Sequence, residues 1–270
     1  MISITEKEFK QISEYIEHKY GIHLKPEKRV LVMGRLQNVL NSLDIDNFTD
    51  YFTHVTSDRT ENSEQILIDR ITTNHTFFMR EAEHFEYYKN NVLPYLVQNV
   101  RNKDLRIWSA GCSTGEEPYT LAMINRDCLG NEKAYWDTKI LATDISQKVL
   151  ETAATGIYND EELLQLPVCW RTNYFKKYNS RSSMVKDLIK EDVIFRKFNL
   201  MDSFPFKKKF HVIFCRNVMI YFDNITKNTL INKFYDILEY GGYLFIGHSE
   251  SISREKTGFR YVMPSLYIKE

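Results

Sequence analysis

Two adjacent glutamates, Glu116 and Glu117, close a glycine-bearing loop, Gly111-Cys-Ser-Thr-Gly115, that follows the apolar run 105–110. The residues after them continue at helical spacing. Strand, glycine loop and helix in this order commonly cradle a nucleotide, because free N–H groups and the helix dipole draw an anion to the helix start. Here two carboxylates already occupy that field, and they would repel a pyrophosphate. The loop suits a nucleoside ligand that carries positive charge. S-adenosylmethionine, with its sulfonium and ammonium groups, is the obvious candidate. The dinucleotide fingerprint G-x-G-x-x-G is absent, and Gly115 lies further from Asp144 than the roughly 20 residues of that fingerprint. No P-loop lysine is present, which argues against an NTPase.

Three further apolar runs end in polar residues able to complete such a pocket. Run 139–143 ends in Asp144, placed to accept from both ribose hydroxyls. Run 193–198 ends at Asn199 and Leu200, able to read an adenine edge, and run 211–215 ends at Arg216 and Asn217, near the substrate's approach. In an open α/β sheet, ligands lie beyond the carboxyl ends of the strands, so four such ends in order weigh more than any one. Upstream, Ile71-Thr-Thr-Asn-His-Thr-Phe-Phe-Met-Arg-Glu-Ala-Glu-His-Phe85 interleaves polar residues with paired aromatics. Phe77 and Phe78 read as packing anchors, and His75 and His84 as structural. Asn74, Thr76 and Arg80 stand as site candidates, Arg80 as a cation able to orient an anionic substrate.

These groups need rigid elements behind them. Residues 1–75 read as helices only. Phe9, Ile12, Ile16 and Tyr20 recur at helical spacing with Gly21 as a stop. A second apolar face is expected from Val30, Leu31, Leu36, Val39, Leu40 and Leu43, and further helices over 48–55 and 66–71. From about 100 onward strands alternate with helices, which implies a parallel sheet. Strands are expected at 105–110, 139–143, 193–198, 211–215 and 243–246, and helices at 116–129, 146–154 and 224–239. Gly241-Gly242 is expected to end the last helix, and one apolar segment, 261–268, to close the chain. The expected organisation is α/β: an all-helical domain over 1–75, a linker over 76–98 that contributes to the site, and a Rossmann-like domain over 99–270 with a mostly parallel sheet. Residues 168–192 fit neither period and read as a small inserted β-subdomain.

Lys and Arg total 36, as do Asp and Glu, so the formal net charge is zero and nothing pulls the chain toward nucleic acid. Cys112, Cys128, Cys169 and Cys215 form no C-x-x-C pair, so neither a zinc site nor a disulfide framework is expected, and no metal. The N-terminus is too polar for a signal peptide, and no apolar run approaches the roughly 20 residues of a membrane span. A cytoplasmic chain without membrane insertion is expected. Lys25, Lys28, Arg29 and Arg35 cluster on and before the second helix, as either a solvated face or an electropositive surface for an acidic partner helix.

Four stretches resemble motifs of the chemotaxis receptor methyltransferases, the CheR family. They are Thr72-Thr-Asn-His-Thr-Phe-Phe-Met-Arg-Glu81, Trp108-Ser-Ala-Gly-Cys-Ser-Thr-Gly-Glu-Glu-Pro-Tyr119, Ala142-Thr-Asp-Ile145 and Phe214-Cys-Arg-Asn-Val-Met-Ile-Tyr-Phe222. Gly247-His-Ser-Glu-Ser251 is similar as well, and the resemblance spans nearly the whole chain. It implies a Rossmann-like S-adenosylmethionine-dependent methyltransferase that forms glutamate methyl esters on chemoreceptors and releases S-adenosylhomocysteine. On this sequence it implies that Asn74, Thr76 and Arg80 touch the cofactor, that Glu117 holds its methionine portion and that Asp144 holds its ribose. Asn199 and Leu200 would frame the adenine, Gly111, Arg216 and Asn217 would complete the pocket, and Arg80 and Tyr221 would lie nearest the methyl. The partner implied is the helical bundle of a chemoreceptor, met by a monomer through its helical domain.

Some members of the family dock a receptor C-terminal peptide on the β-subdomain, at a glycine-containing turn. This chain has Lys177-Tyr-Asn-Ser-Arg-Ser-Ser183 there, without glycine, so an untethered form is expected. The competing readings are a methyltransferase of another substrate and a non-catalytic S-adenosylmethionine sensor.

Overall fold

The computed structural model describes residues 2–252 and 257–270. Four helices open the chain: α1 (Glu6–Tyr20), α2 (Arg29–Ser42), α3 (Phe48–Ser57) and α4 (Asn62–Ile71). Thr5 and Glu8 cap α1 reciprocally: Thr5 Oγ1 accepts from Glu8 N at 3.2 Å, and Glu8 Oε2 accepts from Thr5 N at 2.8 Å. Glu8 Oε1 also accepts from Thr49 N at 2.9 Å, so one side chain starts α1 and holds the start of α3. Ile12, Ile16, Leu36, Leu40, Phe48 and Leu67 meet, fully buried, between the four helices. Val30 and Leu31, expected on the apolar face of α2, are instead 68% and 42% exposed. The inward stripe is Val32, Leu36, Val39 and Leu40, an i, i+4, i+7, i+8 pattern, and residues 30 and 31 fall off it.

The segment expected as a linker over 76–98 is helical from Ala82 onward. Helix α5 (Ala82–Tyr87), a π-turn (Tyr88–Val92) and α6 (Leu93–Asn99) run on without a break. Phe85, Tyr88, Val92 and Leu96 recur at helical spacing and are buried in the core of the α/β layer. Only residues 72–81 bridge the two parts of the chain.

Seven strands build the main sheet: β1 (Ile107–Ala110), β2 (Ile140–Asp144), β6 (Val193–Lys197), β7 (Phe210–Cys215), β8 (Leu238–Ile246), β9 (Phe259–Met263) and β10 (Leu266–Lys269). Their order is β6-β2-β1-β7-β8-β10-β9, parallel from β6 to β8 and antiparallel at β10 and β9. Helices α7 (Glu116–Leu129), α8 (Gln147–Thr155) and α11 (Asn224–Ile237) cross between strands. β1 and β7 are buried along their whole length, which is why they read as unbroken apolar runs. β1 lies between β2 and β7, so the chain reverses its direction of travel across the sheet there. That reversal opens a cleft beyond the carboxyl ends of the strands.

Three local expectations are corrected. The inserted β-subdomain begins before residue 168. Its sheet is β3 (Ile157–Asn159), β5 (Ser182–Val185) and β4 (Phe175–Lys177), in the order β3-β5-β4, and helices α9 (Val168–Tyr174) and α10 (Asp187–Lys190) flank the hairpin. A three-residue strand such as β3 is too short to carry a period. No residue of the turn over 178–181 has positive φ, so the hairpin closes without glycine. The closing segment 261–268 is a hairpin of two strands, turning at Ser265 with φ 62°. Gly241 and Gly242 end no helix. They sit inside β8, in a bulge where the register with β7 jumps between Phe210 and Val212.

Tyr88 ties the sixth helix region to α7 by donating to Asn125 Oδ1 at 2.7 Å, in a fully buried position. Tyr88→Phe leaves that oxygen without its donor. We expect a loss of about 1–3 kcal/mol in denaturant unfolding, with the fold intact by circular dichroism.

Candidate active site

The cleft holds a cavity of about 380 Å³, within the range of small-molecule sites. Its floor is the loops after β1, β2, β6 and β7, and its other wall is the helical domain and the 72–80 bridge. Gly111 has φ 84°, and a Cβ there would stand 2.3 Å from Val218 Cγ2, so only glycine lets the first loop pass the fourth. Gly111 N and Cys112 N both donate to Thr143 O, at 2.8 and 2.9 Å, which pins the loop to the end of β2. Ser113 N donates to Asp144 Oδ2 at 2.9 Å and Ser146 N to Oδ1 at 3.0 Å. Asp144 is therefore fixed in orientation, with lone pairs left over. Burial pushes its pKa up against these bonds.

Glu116 and Glu117 part company. Successive helical residues point about 100° apart. Glu117 lines the cavity; Ser109 Oγ donates to its Oε1 at 2.7 Å and Arg216 Nη1 to its Oε2 at 3.0 Å. Glu116 faces away, into a smaller cavity of about 250 Å³ shared with Tyr158, Asn159 and Glu162 of the β-subdomain. Thr114 Oγ1 reaches both Glu116 oxygens, at 2.9 and 2.8 Å. Burial pushes its pKa up to about 7.

Arg216 is the centre of the site. Its side chain is 3% exposed. Its guanidinium lies 5.1 Å from the Phe85 ring centre, and Phe85 stacks on Phe214. Besides Glu117, it donates to Glu81 Oε2 from Nε and Nη2, at 3.3 and 3.1 Å, and to Arg80 O. Glu81 Oε1 accepts from Asn217 Nδ2 at 3.1 Å and His248 N at 3.2 Å. Burial works to raise the Glu81 pKa, but Arg216, Asn217 and the His248 N–H outweigh it and hold it below the usual value. Two carboxylates on one guanidinium leave one net negative charge beside the cavity, a field that suits a cation.

The other candidates are distributed as follows. Asn74, Thr76 and Arg80 line the cavity from the bridge. Ser113 Oγ donates to Asn74 O at 2.9 Å, and Arg80 Nη1 donates to His75 O at 2.7 Å. Tyr221 lines the cavity, and its hydroxyl donates to Thr73 O at 3.3 Å. Leu200 is buried at the cavity wall. Asn199, expected to read an adenine edge, also lines the cavity; its Nδ2 donates to Lys19 O at 2.8 Å and its Oδ1 accepts from Met201 N at 3.1 Å, which leaves one N–H and one lone pair over. Of the basic cluster, Lys25, Lys28 and Arg29 are exposed, and Lys25 and Lys28 reach the cavity. Arg35 turns inward instead, donating to Ile71 O at 2.5 Å, Thr72 O at 3.2 Å and Thr73 Oγ1 at 3.0 Å. It splints the bridge.

Sequence reasoning missed Glu81, Ser109 and Phe85 as parts of the site. Glu81 directly follows Arg80, yet nothing local tells that its partners lie in loops more than a hundred residues on. His84 is buried with its Nδ1 3.5 Å from Glu81 Oε2, and burial together with Arg216 lowers its pKa to about 4, so it packs as a neutral ring. Glu81, His84 and His248 bring ligating atoms within 4.8 Å of one another, but the guanidinium of Arg216 sits on that carboxylate.

The α/β sheet with its cleft at the β1 and β7 ends, the fixed acid after β2 and the net negative charge beside the cavity define an S-adenosylmethionine-dependent methyltransferase. The description "CheR methyltransferase, SAM binding domain" matches residues 74–268, and "CheR methyltransferase, all-alpha domain" matches residues 7–72. The chain belongs to the CheR methyltransferase family. It is 44% identical to a chemotaxis protein methyltransferase of Borreliella burgdorferi over 273 residues, 99% of this chain and 96% of that protein. It is 36% identical to that of Escherichia coli over 264 residues, 96% of this chain and 89% of that protein. Chemotaxis protein methyltransferase 2 of Pseudomonas aeruginosa is 35% identical over 267 residues, 97% and 93% of the two chains. Among the described residues no helix is long and apolar enough to cross a membrane.

The position of Glu116 has a measurable consequence. Between pH 4.5 and about 7 the folded chain keeps a proton that the unfolded chain has released. The stability this group contributes is full below pH 4.5 and is lost as pH rises through about 7. The swing is on the order of 3 kcal/mol. Glu116→Gln should flatten the fall in melting temperature between about pH 5 and about pH 8, and should be the more stable protein at the upper end.

Proposed function

We propose that this chain transfers a methyl group from S-adenosylmethionine to glutamate side-chain carboxylates of chemoreceptors, giving methyl esters, and that its helical domain meets the receptor's helical bundle. One observation carries the reading: a single cavity is acidic on one wall and basic on the other. Glu117 and Asp144 stand on the sheet side, and Arg80, Lys25 and Lys28 on the side of the bridge and the helical domain. A cationic nucleoside fits the first wall and an anionic side chain the second.

Bound S-adenosylmethionine would supply an electrophilic methyl carbon: a carboxylate oxygen would bond to it as the methyl–sulfur bond breaks, and S-adenosylhomocysteine would leave as a neutral thioether. Asp144, held by Ser113 N and Ser146 N, takes the ribose hydroxyls. Glu117 offers the lone pairs not used by Ser109 and Arg216 to the ammonium. The substrate glutamate needs no base, since its ordinary pKa of about 4.3 leaves it ionised at neutral pH. Arg80 and Tyr221 orient it. Arg80 is already shared with His75 O, so it steers the carboxylate without quenching it. Rate comes from alignment and from excluding water.

Methyl-labelled S-adenosylmethionine and receptor-bearing membranes test the reading. The label should appear on receptor and leave as methanol in mild alkali. Base-stable label would mean a different acceptor group, and no label a non-catalytic protein. Arg80→Ala and Tyr221→Phe should each cut turnover on the order of 10²-fold. Asp144→Ala should instead weaken cofactor binding by about 10- to 100-fold in calorimetry. Lys25→Glu with Lys28→Glu should raise the KM for receptor about tenfold at low salt. Added salt should erase most of that difference.

A further inference from the structure

The loop that carries Tyr221 is held from behind by a residue with no role in the reading above. We propose that Glu250 is a positioning residue for methyl transfer, fixing loop 216–222 so that Tyr221 meets the substrate in a reactive orientation. The inference rests on Tyr221 acting in the reaction.

Glu250 belongs to the loop after β8 and is 5% exposed. Its Oε2 accepts from Gly247 N at 2.6 Å and from Asn217 N at 3.1 Å, and its Oε1 accepts from Ile220 N at 3.1 Å. Among the described residues no cationic side chain bonds it. Three backbone N–H groups thus converge on one carboxylate. Ile220 N lies within the single turn Met219–Tyr221 that presents the tyrosine, and Asn217 N lies two residues before it, in the same loop. A short 3-10 turn has no internal partner for its first N–H groups, so this side chain acts as its cap. The two loops also touch directly. A Cβ on Gly247 would stand 2.5 Å from Asn217 Nδ2, and Asn217 itself has φ 57°, a conformation that needs support. Burial raises the Glu250 pKa while the N–H groups oppose it, as expected of an acid held for its acceptors.

An amide cannot replace it. Gln offers one acceptor oxygen, and its NH2 would face either Ile220 N–H or the Gly247 and Asn217 pair, donor against donor. The far side of Tyr221 is already anchored, since His23 N donates to Tyr221 O at 2.8 Å. Losing Glu250 therefore tilts the turn about that anchor and does not free it.

The test is a double-mutant cycle on the full chain, with receptor-bearing membranes and labelled S-adenosylmethionine. Glu250→Gln should lower kcat at least about 30-fold while the cofactor Kd stays within about threefold. In a Tyr221→Phe background the same change should cost less than about threefold, because the group being positioned is gone. Equal cost in both backgrounds overturns the inference, as does a cofactor Kd that weakens in step with kcat. Glu250→Asp keeps the charge but shortens the reach, and serves if the Gln variant does not fold; it should show the same non-additivity. A Tyr221→Phe protein with wild-type kcat would instead sink the role given to Tyr221, a result separate from the outcome of the cycle.

Discussion

A single guanidinium organises the site. Arg216 leaves the end of β7 and is covered by the Phe85 ring, with Glu81 and Glu117 at two edges of its guanidinium. Those carboxylates come from the start of α5 and the start of α7, so one cation joins three elements that are far apart in sequence. Burying such a set is costly, and an apolar core of equal volume would serve stability at least as well. What it supplies is geometry. Removing Arg216 leaves two largely buried carboxylates uncompensated, and removing either acid frees one element from the guanidinium, so the three elements are held to one arrangement. The excess of one negative charge stays at the cavity edge. The same guanidinium grips Arg80 O, so the backbone of an arginine on the bridge wall of the cavity is set by the network on the sheet side.

The helical domain is part of this site and more than an appendage to it. Gly21 ends α1 with φ 70°, and a Cβ there would stand 2.6 Å from Met201 Sδ. Close approach puts Ile22 in a β-bridge with Phe222, His23 N on Tyr221 O and Lys19 O under Asn199. Gln65 Nε2 on Ile145 O adds a contact beside Asp144. The loops after β2, β6 and β7 each touch the domain whose outer face carries the basic residues. A partner docked there would bear on the walls of the cavity through contacts of one or two residues.

Much of this was legible in the chain, and the limits have physical causes. Parallel strands buried on both faces read as apolar runs, so β1, β2 and β7 could be placed from sequence, and the apolar start of the edge strand β6, Val193-Ile-Phe195, placed it as well. The helix over 82–99 was passed over because its apolar face, Phe85, Tyr88, Val92 and Leu96, starts within a motif that drew attention for its polar residues. β3 is too short to have a period, and the Gly241-Gly242 bulge needs knowledge of the partner strand. Asn199 had the right residue type at the right strand end. That its amide also bonds Lys19 O rests on a contact 180 residues away, which no local pattern encodes. Glu81 and Glu250 fall in the same class: both are acids with donors in loops remote in sequence, Arg216 and Asn217 for the first and Asn217 and Ile220 for the second.

The glutamate pair illustrates how one helix start can serve two ends. Residues i and i+1 diverge by about 100°, so the sheet side and the β-subdomain side of α7 each receive one carboxylate. Glu117 meets a guanidinium and a hydroxyl and stands at the cavity as part of a charge network. Glu116 meets only Thr114, and burial without a cation pushes it up to about 7. The loop before them is clamped at two adjacent residues, by Asp144 on Ser113 N and by Tyr158 OH on Thr114 O at 2.6 Å. Tyr158 belongs to β3, so the inserted subdomain grips the backbone of the loop that bounds the cavity. A helix start that first read as refusing phosphate is thus divided: one acid sets the charge of the site, and the other, half-neutral near physiological pH, sits where the subdomain meets the loop.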